Sequence, residues 1–231
     1  SQAFSALLGQ KPKKPAQTTP TQQAQDRLQT FRSSIAPRSV VYGTTVVSGP
    51  IVYGTSSGTD GEFMHLIVPL AGHEVAGIDD VWINEDRIAN ADLDGSGNVT
   101  AGNLAGYVRV KKYLGATGQT ADADLIAEAP GGEWTSAHKG KGVAYLYVRV
   151  KASSDKFPSG VQNVKAIVRG KKVFDPRTST TAFSNNLALC VLDYLTASYG
   201  MRIGSSEWSS SHWQAQANIC DQNITTTSGG V

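Results

Sequence analysis

The sequence predicts a mixed, β-rich fold of the α+β class, an antiparallel sandwich or partial barrel followed by two helices. Three observations carry that expectation. Over residues 39–174 the dominant hydrophobic period is two, and after Pro176 it changes to a helical one. Short apolar runs are separated by clusters of Gly, Asp, Ser and Pro. Only 17% of the 231 residues are charged, below the roughly one quarter usual for soluble domains. Ser, Thr, Gly and Asn take the place of the missing charges, which is a strand-and-turn composition.

Residues 1–38 read as an extended arm. Pro12, Pro15, Pro20 and Pro37 interrupt any long helix there, although Gln, Ala, Arg and Leu favour a short one over 18–31. The arm carries Lys11, Lys13, Lys14, Arg27, Arg32 and Arg38 against Asp26, a net of +5; the remaining 15 basic and 18 acidic residues give −3. Its low charge density and near lack of aromatics speak against nucleic-acid binding. It reads instead as a solvated extension that threads onto a partner. No apolar run approaches the roughly 20 residues of a membrane span. The patch from Phe4 to Leu8 has no basic residue before it and does not read as a secretory signal.

Strands are expected at 40–42, 46–47, 51–53, 66–70, 81–83, 107–111, 143–151 and 164–169. In the longest of these Ala144, Leu146, Val148 and Val150 share one face. Val143, Tyr145, Tyr147, Arg149 and Lys151 share the other, which turns polar towards its end. The stretch is one β-rich domain over 39–174, with room for an inserted subdomain near 85–140. From 175 to 231 the chain reads as a helical segment. Leu187, Cys190, Val191, Tyr194 and Leu195 recur at helical spacing, with Leu189 and Leu192 on other faces, so this helix is expected to be buried. Ser184, Asn185 or Asn186 caps its start and Gly200 stops it. A more polar helix follows over 210–222, with Trp213, Ala217 and Cys220 on one stripe flanked by Ile219.

The sequence offers few residues arranged for chemistry. Asp92, Asp94, Ser96 and Asn98 with Gly97 open like a calcium loop, but Asn103 stands where the bidentate carboxylate belongs, and the same residues form ordinary turns. His65, His73, His138 and His212 are isolated in sequence. Cys190 and Cys220 read as two buried thiols rather than a redox pair. There is no Gly-x-Ser-x-Gly elbow and no phosphate-binding loop. Asp79 with Asp80, Glu85 with Asp86, and Asp122 with Asp124 fall where solvated turns are expected. Trp82, Trp134, Trp208 and Trp213 read as core or interface anchors, Trp213 most clearly. No catalytic, cofactor or metal residue is assigned, and the chain is not expected to be an enzyme.

One set of residues resembles a known family. Val168-Arg169-Gly170-Lys171-Lys172-Val173-Phe174-Asp175-Pro176-Arg177 is followed by Phe183-Ser184-Asn185-Asn186-Leu187-Ala188-Leu189-Cys190, then Asp193-Tyr194-Leu195-Thr196, Tyr199-Gly200-Met201 and Ile219-Cys220-Asp221-Gln222. This pattern resembles the tail-tip hub proteins of lambda-type long-tailed phages, the host-specificity protein J or tip attachment family. Weaker likenesses at 38–52, 77–84 and 142–160 extend it over roughly residues 35–222. The resemblance implies a virion structural subunit at the tail tip, a homo-trimer that closes the tail tube. It also implies partners in the distal tail ring, the tube and the end of the tape measure, and only indirect contact with the host surface. It implies no cofactor. It further implies that Arg169, Gly170, Asp175, Pro176, Arg177, Ser184, Asn185, Asn186, Cys190, Asp193, Tyr199 and Gly200 are scaffold residues. Family members are several times longer, so the chain is expected to be the front part of a longer protein. The alternative is a β-rich carbohydrate-binding or cell-wall-degrading module, suggested by the scattered Trp, Tyr and carboxylates.

Overall fold

The computed structural model describes residues 38–222. The helix expected at 18–31, and the arm up to residue 37, lie outside the described residues. The expected fold class is the observed one: antiparallel sheets with two helices towards the C-terminal end. The chain divides into two compact units that meet in sequence at Gly170 and Lys171.

The first unit contains two four-stranded antiparallel sheets. One has the order β1 (Thr44–Ser48), β8 (Val164–Arg169), β4 (Gly77–Ile83), β5 (Asp86–Ile88). The other has the order β2 (Tyr53–Ser57), β3 (Phe63–Ala71), β7 (Ala144–Lys151), β6 (Val108–Tyr113). Period-two patterning sends Met64, Leu66, Val68 and Leu70 of β3 and Leu146, Val148 and Val150 of β7 into one core. Val81, Ile83, Val164, Ala166 and Val168 of the other sheet belong to the same core. Burial of each larger side chain stabilises the unit by about 1.5–3 kcal/mol before chain entropy is counted. The β3–β7 register shifts between Pro69 and Ala71, where proline has no amide to donate to the ladder.

Several expectations need correction. Residues 40–42 are not a strand: Val41 is in the core, but its amide donates to His73 Nε2 at 2.9 Å, and Gly43 turns the chain at φ 61° before β1 begins. β2 starts only at Tyr53. β5 was not expected, because three residues with Ile88 alone buried show no period. The outer face of β7 is not solvated. Tyr145 and Tyr147 are 3% and 0% exposed, because a short helix, α1 (Ala123–Glu128), brings Leu125 into a second apolar cluster with Ile67 and both tyrosines. Asp122 is therefore no solvated turn residue. It is fully buried and caps α1, accepting from the Leu125 amide at 2.6 Å.

The second unit pairs β9 (Lys172–Asp175) with β10 (Thr180–Phe183) and adds α2 (Leu187–Thr196) and α3 (Ser210–Cys220). Asn186 is the residue that caps α2. The helix ends at Thr196 rather than Gly200, when Ala197 N–H bonds to the Asp193 carbonyl. Gly200 serves the following turn, where an added Cβ would lie 1.7 Å from the Tyr194 carbonyl oxygen. The helix is not buried all round: Ala188, Leu189, Cys190 and Leu192 are buried, while Leu187, Val191 and Tyr194 are exposed. Cys190 is buried but Cys220 is exposed, so the two thiols do not share a core. Trp213 is only half-buried, and Ala217 is the buried residue of α3. Among the described residues no helix is long and apolar enough to cross a membrane.

Candidate functional site

The resemblance residues of the second unit converge on two polar nodes around α2. The first is built on Asp175 and Arg177, which flank Pro176 at the end of β9. The Arg177 guanidinium donates to both Asp175 carboxylate oxygens at 2.7–3.1 Å, to Asp221 Oδ2 at 2.6 Å and to Asn218 Oδ1 at 3.1 Å. This fork geometry suits arginine and not lysine. Asn186, 6% exposed, donates to the Ala217 carbonyl at 2.8 Å and to Asp221 Oδ1 at 2.7 Å, while its Oδ1 accepts from Leu189 N at 3.3 Å. One amide thus caps α2 and ties it to the last turn of α3. The Arg177 hydrogen bonds hold the Asp175 and Asp221 carboxyls below their ordinary range, and Asn186 adds to the effect on Asp221.

Around this node the other motif residues have local duties. The Pro176 carbonyl accepts from Gln214 Nε2 at 3.0 Å. Ser184 Oγ accepts from the Asn186 amide at 3.0 Å, and the Cys190 thiol reaches the Ser184 carbonyl at 3.8 Å. Asn185 is exposed.

The second node lies towards the other end of α2. Lys171 Nζ donates to both oxygens of Asp193 at 3.0 and 2.8 Å and to Tyr199 Oη at 2.8 Å, and Tyr199 Oη donates to Asp193 Oδ2 at 2.9 Å. Burial pulls the Lys171 pKa down, but the bonds to Asp193 and Tyr199 outweigh it and the net direction is up. Arg169 and Gly170 belong to the first unit. Arg169 pairs with Asp79 at 3.1 Å, and Gly170 approaches the Val41 carbonyl so closely that a Cβ would lie 2.2 Å from its oxygen.

The first unit holds a polar cluster that sequence reasoning missed. His65, fully buried in β3, bonds through Nε2 to Ser57 Oγ at 2.7 Å and through Nδ1 to Tyr147 Oη at 2.9 Å. Beside it Glu128 accepts from Arg109 at 2.9 Å and Arg149 at 3.1 Å. Lys111 pairs with Asp124 at 2.7 Å and Asp122 at 3.3 Å. Burial is the main cause that lowers the His65 pKa and raises that of Tyr147, so the chain from hydroxyl to imidazole to phenol stays neutral. With the imidazole sealed from solvent, its evident work is to join β2, β3 and β7. A histidine inside the run Phe63-Met64-His65-Leu66-Ile67 was the signal available.

The calcium-like loop spends its ligands on itself. Asp94 Oδ1 accepts from the Ser96 and Asn98 amides at 2.9 and 2.8 Å, and Asp92 Oδ2 accepts from Ala89 N at 3.0 Å. Among the described residues no three His, Cys, Asp or Glu side chains are grouped to hold a metal ion. Trp82 lies on β4 and Trp134 stacks between Tyr53 and His138, whereas Trp208 and Trp213 line one pocket of the second unit.

No family model matches the sequence. No curated protein matches it either. Among solved structures it is similar to a chain from the virion of a native gene transfer agent particle, at 20% identity and a TM-score of 0.43. That likeness covers 62% of this chain and 28% of the other, so the matched part spans under a third of its neighbour's length.

Proposed function

We propose that this chain is a virion structural subunit of a phage tail tip, a hub subunit that forms a threefold ring closing the tail tube. The observation that supports the reading most is where the resemblance residues go. Asp175, Arg177, Ser184, Asn186, Cys190, Asp193 and Tyr199 are all engaged with one another or with neighbouring backbone in the second unit. Their side chains fix the positions of β9, α2 and α3, which is what a scaffold needs. The reading assigns no catalysis to the chain. Its partners are sister subunits and the adjoining ring, tube and tape-measure proteins, and its contact with the host is indirect. The test is a reconstruction of intact tails with chain-specific labelling. Three copies around the lumen at the tip are expected. A single copy, or a position along the tube, would overturn the proposal.

A further inference from the structure

Lys111 and Lys112 are neighbours on β6 and so face opposite sides of their sheet. Lys111 is paired with the carboxylates of Asp122 and Asp124. Lys112 continues the row of Val108 and Val110, which face the core, and is itself half-buried. Among the described residues no carboxylate forms an ion pair with it. It donates instead to two neutral oxygens, the Asp79 carbonyl and Asn90 Oδ1. Asn90 opens the short turn Asn90–Asp92 that follows β5, and its backbone is pinned there. Asp80 Oδ1 accepts from the Asn90 amide at 3.2 Å, while Arg87 Nε donates to Asp80 Oδ2 at 2.9 Å. β5 and β6 belong to different sheets of the sandwich. The contact therefore sets an amine from one sheet against a side-chain amide at the end of the other.

That setting suits nucleophilic attack. Burial lowers the Lys112 pKa from its ordinary value of 10.5, although Asp80 and Asp79 pull the other way. A larger share of neutral amine follows, the form that carries a free lone pair. Cγ of Asn90 is one bond beyond the oxygen that Nζ contacts, and holding the two groups together replaces a bimolecular encounter. Asn90 is exposed, so a small leaving group has a way out. We infer that Lys112 Nζ and Asn90 Cγ join in an intramolecular isopeptide bond that braces the two sheets. The Nζ lone pair adds to Cγ, the Cγ–Nδ2 bond breaks, and one Nζ proton passes to Nδ2, which leaves as ammonia. Amine and primary amide thus give secondary amide and ammonia, with nothing oxidised or reduced.

The experiment is mass spectrometry on the full chain, kept folded at neutral pH. The wild type is expected to weigh less than its sequence by one ammonia. Cyclisation of Asn90 on its own backbone would lose the same mass, so the peptide map decides. Trypsin is expected to release a branched peptide in which residues 88–109 are joined through Asn90 to residues 112–139, uncut after Lys112. Lys112→Arg keeps the charge, and Asn90→Ala removes the amide from an exposed position. Each is expected to show its full sequence mass and linear peptides only. A wild type of full mass, or one whose lost ammonia is accounted for by linear peptides, would overturn the inference. Should a variant fail to fold, the wild-type map is decisive alone.

Discussion

In the first unit even polar groups are hidden: His65 and Asp122 have no exposure, and each has its hydrogen bonds met inside the unit. In the second unit the surface is apolar instead. Phe174, Leu187, Val191, Tyr194, Tyr199, Met201 and Ile219 are exposed there, seven large apolar residues against four in the first unit, which is more than twice as long over the described residues. The sandwich has two sheets and α1 to cover its faces. The second unit has one hairpin and two helices, too little to cover the circumference of α2. Its order relies on the Arg177 and Lys171 nodes, and it leaves more large apolar side chains exposed than the first unit does.

Four measurements would break or sharpen that contrast. The largest effect is expected from Asp122→Ala, which removes the α1 cap and leaves the half-buried Tyr113 hydroxyl without its carboxylate partner. A loss of about 3–5 kcal/mol in denaturant unfolding is expected. A loss below about 1 kcal/mol would mean that the hidden polar network contributes little. Asn186→Ala comes next, at about 2 kcal/mol, with faster amide exchange in α2 and α3 and unchanged exchange in β3 and β7. Faster exchange in the sandwich would show that the units are not separately stabilised.

The third effect is one of pH. Burial lowers the folded pKa of His65 below its ordinary value of 6.5, so the unfolded chain binds the proton first. The resulting stability is present above about pH 6.5 and declines as pH falls towards the lowered folded value. His65→Gln is expected to flatten the thermal midpoint over that window. It leaves the fall at more acid pH, where Asp80, Asp124 and Asp175 with their lowered pKa values take up protons. An unchanged slope would mean that another group titrates there. The smallest effect is expected from Leu187→Ser, within about 0.5 kcal/mol, since the side chain is 68% exposed. A larger loss in the isolated chain would show that Leu187 belongs to the fold.

The sandwich was legible where a strand was long and its residues alternated, as in β7 and β8, because alternation over six or more residues reports one buried face. It was not legible where burial came from a distant element. Nothing in Tyr145 and Tyr147 announces that α1 will cover them, and nothing in Asp122 distinguishes a cap from a solvated turn until Leu125 is placed on the sheet. α2 and α3 were legible in type through the 3.6 period, and the start of α2 to within Ser184, Asn185 and Asn186; α1 was not. The exposure of Leu187 and Val191 was not, because an apolar side chain reads as core whether its cover comes from its own chain or from elsewhere. The motif residues were recognisable by resemblance alone; that Asp175 and Asn186 share Asp221 and Arg177 is a fact of three dimensions.

The pairing of β1 with β8 sets how the first unit responds to force. Thr44 lies opposite Arg169, and the Gly170 amide donates to the Gly43 carbonyl at 2.8 Å, so the chain enters and leaves the unit at the same end of one antiparallel pair. Tension applied between residue 38 and the second unit would load that pair at its open end. The hydrogen bonds would then yield one after another, as a zipper does, instead of sharing the load in shear. The sandwich would unravel from β1 at low force.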